Sequence, residues 1–198
     1  MSDIQDIQIN KLEKLHTAWQ PMVEFLFGPA APHTEFLGFD INNDIAKPSL
    51  LFLDEAHPYS YKIQMPARSF TNDVMLLADL IQEMVRALYP IGFTKQQAGQ
   101  ETTALCEGAA VYGAVTAIRQ VFGEETVESY LDALQAQGFS FYDAFSYVAV
   151  LLADDPQAVK KLRDVKPFLY DIEKSDFISA DVKAERKVQD VLLFTFRP

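Results

Sequence analysis

Two segments of helical period, set end to end and parted by a Pro–Gly break, constrain this chain more than any other feature. From Thr71 the pattern turns helical and runs to about Tyr89, where Pro90 and Gly92 end it. Thr71 is the expected N-cap, with Asp73 in the positive first turn. A second segment runs from about Thr94 to Phe122, with Gly99 as an early break and Gly123 at its C-terminal end. Its small residues (Cys106, Ala110, Gly113, Ala114, Ala117) form a stripe that lets another helix approach closely. Glu107 lies inside this apolar, small-residue stretch, so its carboxylate is expected to be at least partly buried and to need a partner.

The rest of the chain frames these helices. Residues 4–27 read as a helix broken or kinked at Pro21 and stopped by Gly28-Pro29-Ala30-Ala31-Pro32. Glu35–Ile41 and the apolar run Ser49–Leu53 read as strands. In a third strand Tyr61, Ile63 and Met65 alternate with Lys62 and Gln64, and the last two strands are expected to form a hairpin. Helices follow at 124–137, closed by Gly138; at 141–153, with Ser140 and Asp143 as a capping box; and at 156–165, started by Asp155-Pro156. The tail, 181–195, fits a helix, although Leu192, Phe194 and Phe196 also alternate. The fold class is therefore α+β: a small antiparallel sheet packed on helices, with a helical C-terminal half. Its 198 residues form one expected domain, 35–122 holding the sheet and the two motif helices and 123–198 the helical remainder.

Composition narrows function. A formal net charge of -11 argues against nucleic acid and against anionic membranes as partners. A single cysteine, Cys106, excludes an intramolecular disulfide, and its apolar surroundings point to an inert buried thiol. Met1–Gln5 has neither a basic start nor an apolar run, so no signal peptide is expected and the cytoplasm is the expected compartment.

Gln82-Glu83-Met84-Val85-Arg86 and Glu107-Gly108-Ala109-Ala110 resemble the zinc-binding frame of the gluzincin, thermolysin-like metallopeptidases. That family carries His-Glu-x-x-His on one helix and a Glu, often followed by Gly-x-Ala, on the next. Histidines four apart share a helix face and reach one Zn²⁺, the Glu between them is the general base, and the second Glu completes the ligand set. On this resemblance Gln82 and Arg86 stand where the histidines would be, Glu83 stands at the base and Glu107 at the third ligand. Residues 87–106 form a short linker of the thermolysin-like kind. The resemblance spans about 35–122 and implies a zincin-like fold.

A site that has exchanged imidazoles for an amide and a cation should not hold zinc, so no cofactor is expected. Arg86 is expected to supply the charge that a metal would supply, donating to Glu107 and also to Glu83. The preferred function is that of a catalytically inactive, metallopeptidase-like protein that binds a peptide or a protein, with Tyr61, Ile63 and Met65 as the edge strand to which a peptide adds. Two other readings stand beside it. One is a metal-dependent hydrolase that uses Glu83, Glu107 and a loop histidine such as His57. The other is a small acidic interaction protein unrelated to peptidases, in which Glu83 and Glu107 lie on distant faces. Glu83 and Arg86 also fit an ordinary exposed i, i+3 pair.

Overall fold

The computed structural model describes residues 2–91, 102–137 and 139–196. Among them are eight α-helices and one three-stranded sheet: α1 (Ser2–Phe27), β1 (Glu35–Ile41), β2 (Ser49–Phe52), β3 (Ser60–Met65), α2 (Asp73–Ala87), α3 (Ala104–Phe122), α4 (Glu124–Gln137), α5 (Phe139–Asp154), α6 (Ala158–Val165), α7 (Lys174–Ser179) and α8 (Arg186–Leu192). Short 3-10 turns at Ala67–Thr71 and Leu169–Asp171 complete the chain. No helix among the described residues is long and apolar enough to cross a membrane.

The sheet is mixed, not antiparallel. Its order is β1-β3-β2: β3 pairs antiparallel with β2, as the hairpin expectation had it, and parallel with β1. Ser60–Met65 is thus the central strand. Its backbone is bonded on both sides, so Tyr61, Ile63 and Met65 cannot be the edge to which a peptide adds. Among the described residues β2, which contacts α2, has no strand on its other side, and this is the edge called free below. Leu37, Leu51 and Lys62 alternate to the outer face, while Tyr61, Ile63 and Met65 are buried. A bulge interrupts the β1–β3 register between Phe36 and Phe39. Gly38 sits in it with φ +106°, a conformation that a side chain rarely adopts. The extra residue brings both phenylalanines to one side, with ring centroids 5.1 Å apart.

Helix α3 is the spine of the core. Thirteen of its residues, from Ala104 to Ile118, are buried, and it packs between α2 and α5. The closest approach is at Gly108, outside the small-residue stripe, where a Cβ would lie 2.3 Å from the Ala144 carbonyl oxygen and 2.6 Å from Val148 Cγ2. Backbone cannot yield there as a flexible side chain can. Gly108→Ala is therefore expected to cost about 2 kcal/mol through overpacking, measured as a lower urea midpoint with an unchanged slope.

Several boundaries differ from expectation. Helix α1 runs uninterrupted through Pro21. Asn72 caps α2, its side chain accepting from the Val74 and Met75 N–H groups, because Thr71 closes the preceding 3-10 turn with its hydroxyl on the Arg68 carbonyl. Helix α3 starts at Ala104 with Thr103 as cap; the expected stretch from Thr94 and its break at Gly99 lie outside the described residues, as does Gly138. Ser140 lies within α5, so it is not that helix's cap. Asp155 accepts the Gln157 N–H, and α6 begins only at Ala158. The tail is part helix, α8, and part bridge, Thr103 pairing with Thr195.

Candidate functional site

Helix α2 presents Asp79, Gln82, Glu83 and Arg86 along one face, since residues three and four apart are neighbours on a helix. Glu107 occupies the first turn of α3, where the unpaired amides at the helix start favour a carboxylate. Packing of α2 on α3 brings the two groups together. The Arg86 guanidinium donates from Nη1 to Glu83 Oε1, from Nη2 to Glu107 Oε2 at 2.7 Å and from Nε to the same oxygen at 3.2 Å. Its Nη2 also reaches Gln82 Oε1 at 3.2 Å. The other three positions singled out from the sequence, Gln82, Glu83 and Glu107, thus converge on the Arg86 guanidinium. Glu83 and Arg86 are not an exposed pair: the Glu83 side chain is 2% exposed and that of Arg86 24%.

Three further polar groups complete the network. Thr102 Oγ1 donates to Glu107 Oε1 at 3.1 Å, and Gln82 Nε2 donates to Tyr130 OH at 3.0 Å. One turn before Glu83, Asp79 accepts from the buried Ser69 hydroxyl and lies 3.7 Å from Arg68 Nη2. Asp79 left a trace in the sequence as a carboxylate four residues before Glu83 on an apolar helix. Tyr130 left none, because it arrives from α4, 48 residues beyond its partner.

Burial sets the electrostatics. It pushes the Glu83 carboxyl above its ordinary value; Arg86 opposes that shift, while Glu107 and Asp79 add to it. Burial likewise raises Asp79 against the pull of Ser69 and Arg68. For Arg86 burial acts downward, but Glu83 and Glu107 carry the net shift upward, so the guanidinium stays charged. The Tyr130 phenol is pushed up to about 12 and the Cys106 thiol to about 11, both chiefly by burial. A buried thiol that retains its proton is a poor nucleophile.

The network forms the polar floor of a cavity of about 740 Å³. Apolar side chains, among them Met75, Ile91, Leu134, Phe141 and Phe196, make most of its walls. One wall is β2, through Ser49, Leu50 and Phe52. The Leu53 N–H bonds the Ser60 carbonyl, which fixes the pairing phase: Leu51 and Ser49 bond across to β3, while the amides and carbonyls of Leu50 and Phe52 turn to the free edge.

The histidines lie elsewhere. His57 sits in the β2–β3 loop with its Nδ1 3.0 Å from Asp54 Oδ1 and its side chain 59% exposed. It does not line the cavity, so the trio of Glu83, Glu107 and His57 is not assembled. Among the described residues no three His, Cys, Asp or Glu side chains converge as a metal site. Glu83 and Glu107 share one cation, which removes the distant-faces arrangement expected of an unrelated acidic protein. Comparison of the chain with family models, curated proteins and solved structures gave no match.

Proposed function

We propose that this chain is a zincin-like protein without peptidase chemistry, whose cavity takes an extended peptide along the free edge of β2. The observation that carries the reading is the Arg86 guanidinium held between Glu83 and Glu107. It stands where a metal would polarise water, and its cation cannot be exchanged for one. Glu83, the position of a general base, is committed to Arg86 and shut away from solvent. What remains is a shaped recess along which, among the described residues, the amides and carbonyls of Leu50 and Phe52 have no partner strand.

Peptide addition then follows ordinary sheet physics. The outward amides and carbonyls of Leu50 and Phe52 bond two alternate peptide residues, and the apolar walls receive a side chain from between or beside them. Arg86, with one Nη1 hydrogen not used by Glu83, remains available at the floor to a peptide carbonyl.

The test uses a pool of fluorescein-labelled unstructured peptides, each with one bulky apolar residue, incubated with the full chain with Zn²⁺ or with EDTA. Binding measured by anisotropy is expected to be indifferent to the chelator, and mass spectrometry should recover the peptides intact. Leu50→Pro removes one outward N–H without touching the ladder to β3, and should weaken binding about three- to tenfold, the worth of one hydrogen bond. Chelator-sensitive cleavage, or no binding by any peptide, rejects the proposal.

A further inference from the structure

A second cavity, of about 210 Å³, opens between α1, the sheet and another face of α2, and shares no lining residue with the first. His16, Gln20 and Glu24 line it from one stripe of α1, each four residues from the next. Phe36 and Tyr61 line it from the sheet. The β1 bulge matters here, because it places Phe36 flat against the His16 ring at 4.4 Å while Phe39 meets that ring edge-on at 5.8 Å. Tyr61 stands beside Phe36, with ring centroids 5.8 Å apart.

Two features of this lining bear on what it could hold. Tyr61 is 6% exposed as a residue, and among the described residues its hydroxyl has no hydrogen-bond partner. Because no buried side-chain oxygen among the described residues lacks a partner, that hydroxyl opens onto the cavity and is not shut away in the core. The His16 ring nitrogens have no partner among the described residues either, and burial holds the imidazole below its usual value, so at neutral pH it offers a lone pair. The second feature is charge: among the described residues the lining holds one carboxylate, Glu24, and neither Lys nor Arg. Glu24 Oε1 accepts from Gln20 Nε2 at 2.8 Å, which leaves its other oxygen available. The cavity therefore gathers acceptors and aromatic faces around a single negative charge, in a chain whose net charge of -11 draws cations.

We infer that this cavity binds a small organic cation, a primary ammonium carried on one ring or a short alkyl body. The three ammonium hydrogens match Glu24, the Tyr61 oxygen and the His16 lone pair, and the Phe36 and Tyr61 rings give the charge a π face. The size agrees, since a cavity of about 150 Å³ holds one benzene ring.

Three probes of matched shape test this by calorimetry on the full chain: benzylammonium, benzyl alcohol and benzoate, with the Met84 and Leu134 methyl resonances followed by NMR. Benzylammonium is expected to bind at least tenfold tighter than the other two and to move the Met84 signal, which reports this cavity. Glu24→Gln should weaken it about tenfold and Tyr61→Phe about threefold, with melting temperatures unchanged. Tyr61→Phe removes a single oxygen and keeps the test sound if Glu24→Gln perturbs α1. Equal affinity for the three probes, no Met84 shift at saturating probe, a shift at Leu134 instead, or binding that survives both substitutions overturns the inference.

Discussion

Arg86→Met is expected to lower the stability of the protein by about 3–5 kcal/mol at pH 7, the loss found when one partner of a buried ion pair is removed. Methionine fills much of the same volume, so packing is not the main loss. The loss comes from two carboxylates, side chains 2% and 10% exposed, left without their cation. Glu83→Gln makes the contrast. Burial already pushes the Glu83 carboxyl upward, so its charge is held against a desolvation penalty, and a neutral isostere that still accepts from Arg86 should cost less than 1 kcal/mol. The pH dependence has a definite sign. A carboxyl raised in the folded state stabilises the fold fully below its unfolded value, and that stability is lost as pH rises through the folded value. Without Arg86 the Glu83 value moves higher still. The deficit of Arg86→Met should therefore shrink as pH falls from 7 into the carboxylate range. Urea unfolding at pH 7 and at pH 4.5 measures both effects; a variant with the parental midpoint at pH 7 would show that the network holds nothing together.

Some of this site was legible in the sequence because its signals are local. Helical period, the Pro90–Gly92 break and the small residues around Glu107 placed both helices and announced a buried carboxylate. The only cation one turn along from Glu83 was then its natural partner, and Arg86 is indeed shared by Glu83 and Glu107. Sheet order was not local. Tyr61, Ile63 and Met65 alternate with Lys62 and Gln64 whether the strand is central or at an edge, because alternation reports one covered face and says nothing of neighbours in the plane. The apolar run Ser49–Leu53 marked a strand but not its place: β2 lies at the edge of the sheet, with Leu51 44% and Leu53 57% exposed and Leu50 and Phe52 lining the cavity. Tyr130 reaches the site only through tertiary packing, and no spacing in the chain marks it, whereas Thr102 is local, five residues before Glu107 at the start of α3.

Arg163→Met should be as damaging as the loss of Arg86, for a different reason. Arg163 is 7% exposed and no carboxylate pairs with it among the described residues; each of its five N–H donors meets a carbonyl instead. Nη1 donates to Phe27 at 2.6 Å and Gly28 at 3.1 Å, Nη2 to Pro29 at 2.6 Å and Leu88 at 2.9 Å, and Nε to Pro167 at 3.1 Å. Phe27 ends α1 and Leu88 caps α2, so one guanidinium closes the negative ends of two helices at once. The Tyr89 ring covers it at 5.5 Å. Leu88 keeps the Ala31 N–H if Arg163 is lost, and Pro29 lies at the surface, but Phe27 and Gly28 are buried and each stranded carbonyl there costs about 1–3 kcal/mol. The expected total is about 3–5 kcal/mol. Arg163→Lys keeps the charge but offers three donors from a point rather than five from a plane, and should recover less than half of it. The effect reaches the candidate site through α2, because the clamp fixes the end of the helix that carries Arg86. Hydrogen exchange should accordingly rise first at Leu88 and Tyr89 and next along the last turn of α2. Uniform loss of protection across the chain, or a variant as stable as the parent, would show that the clamp does not anchor that end.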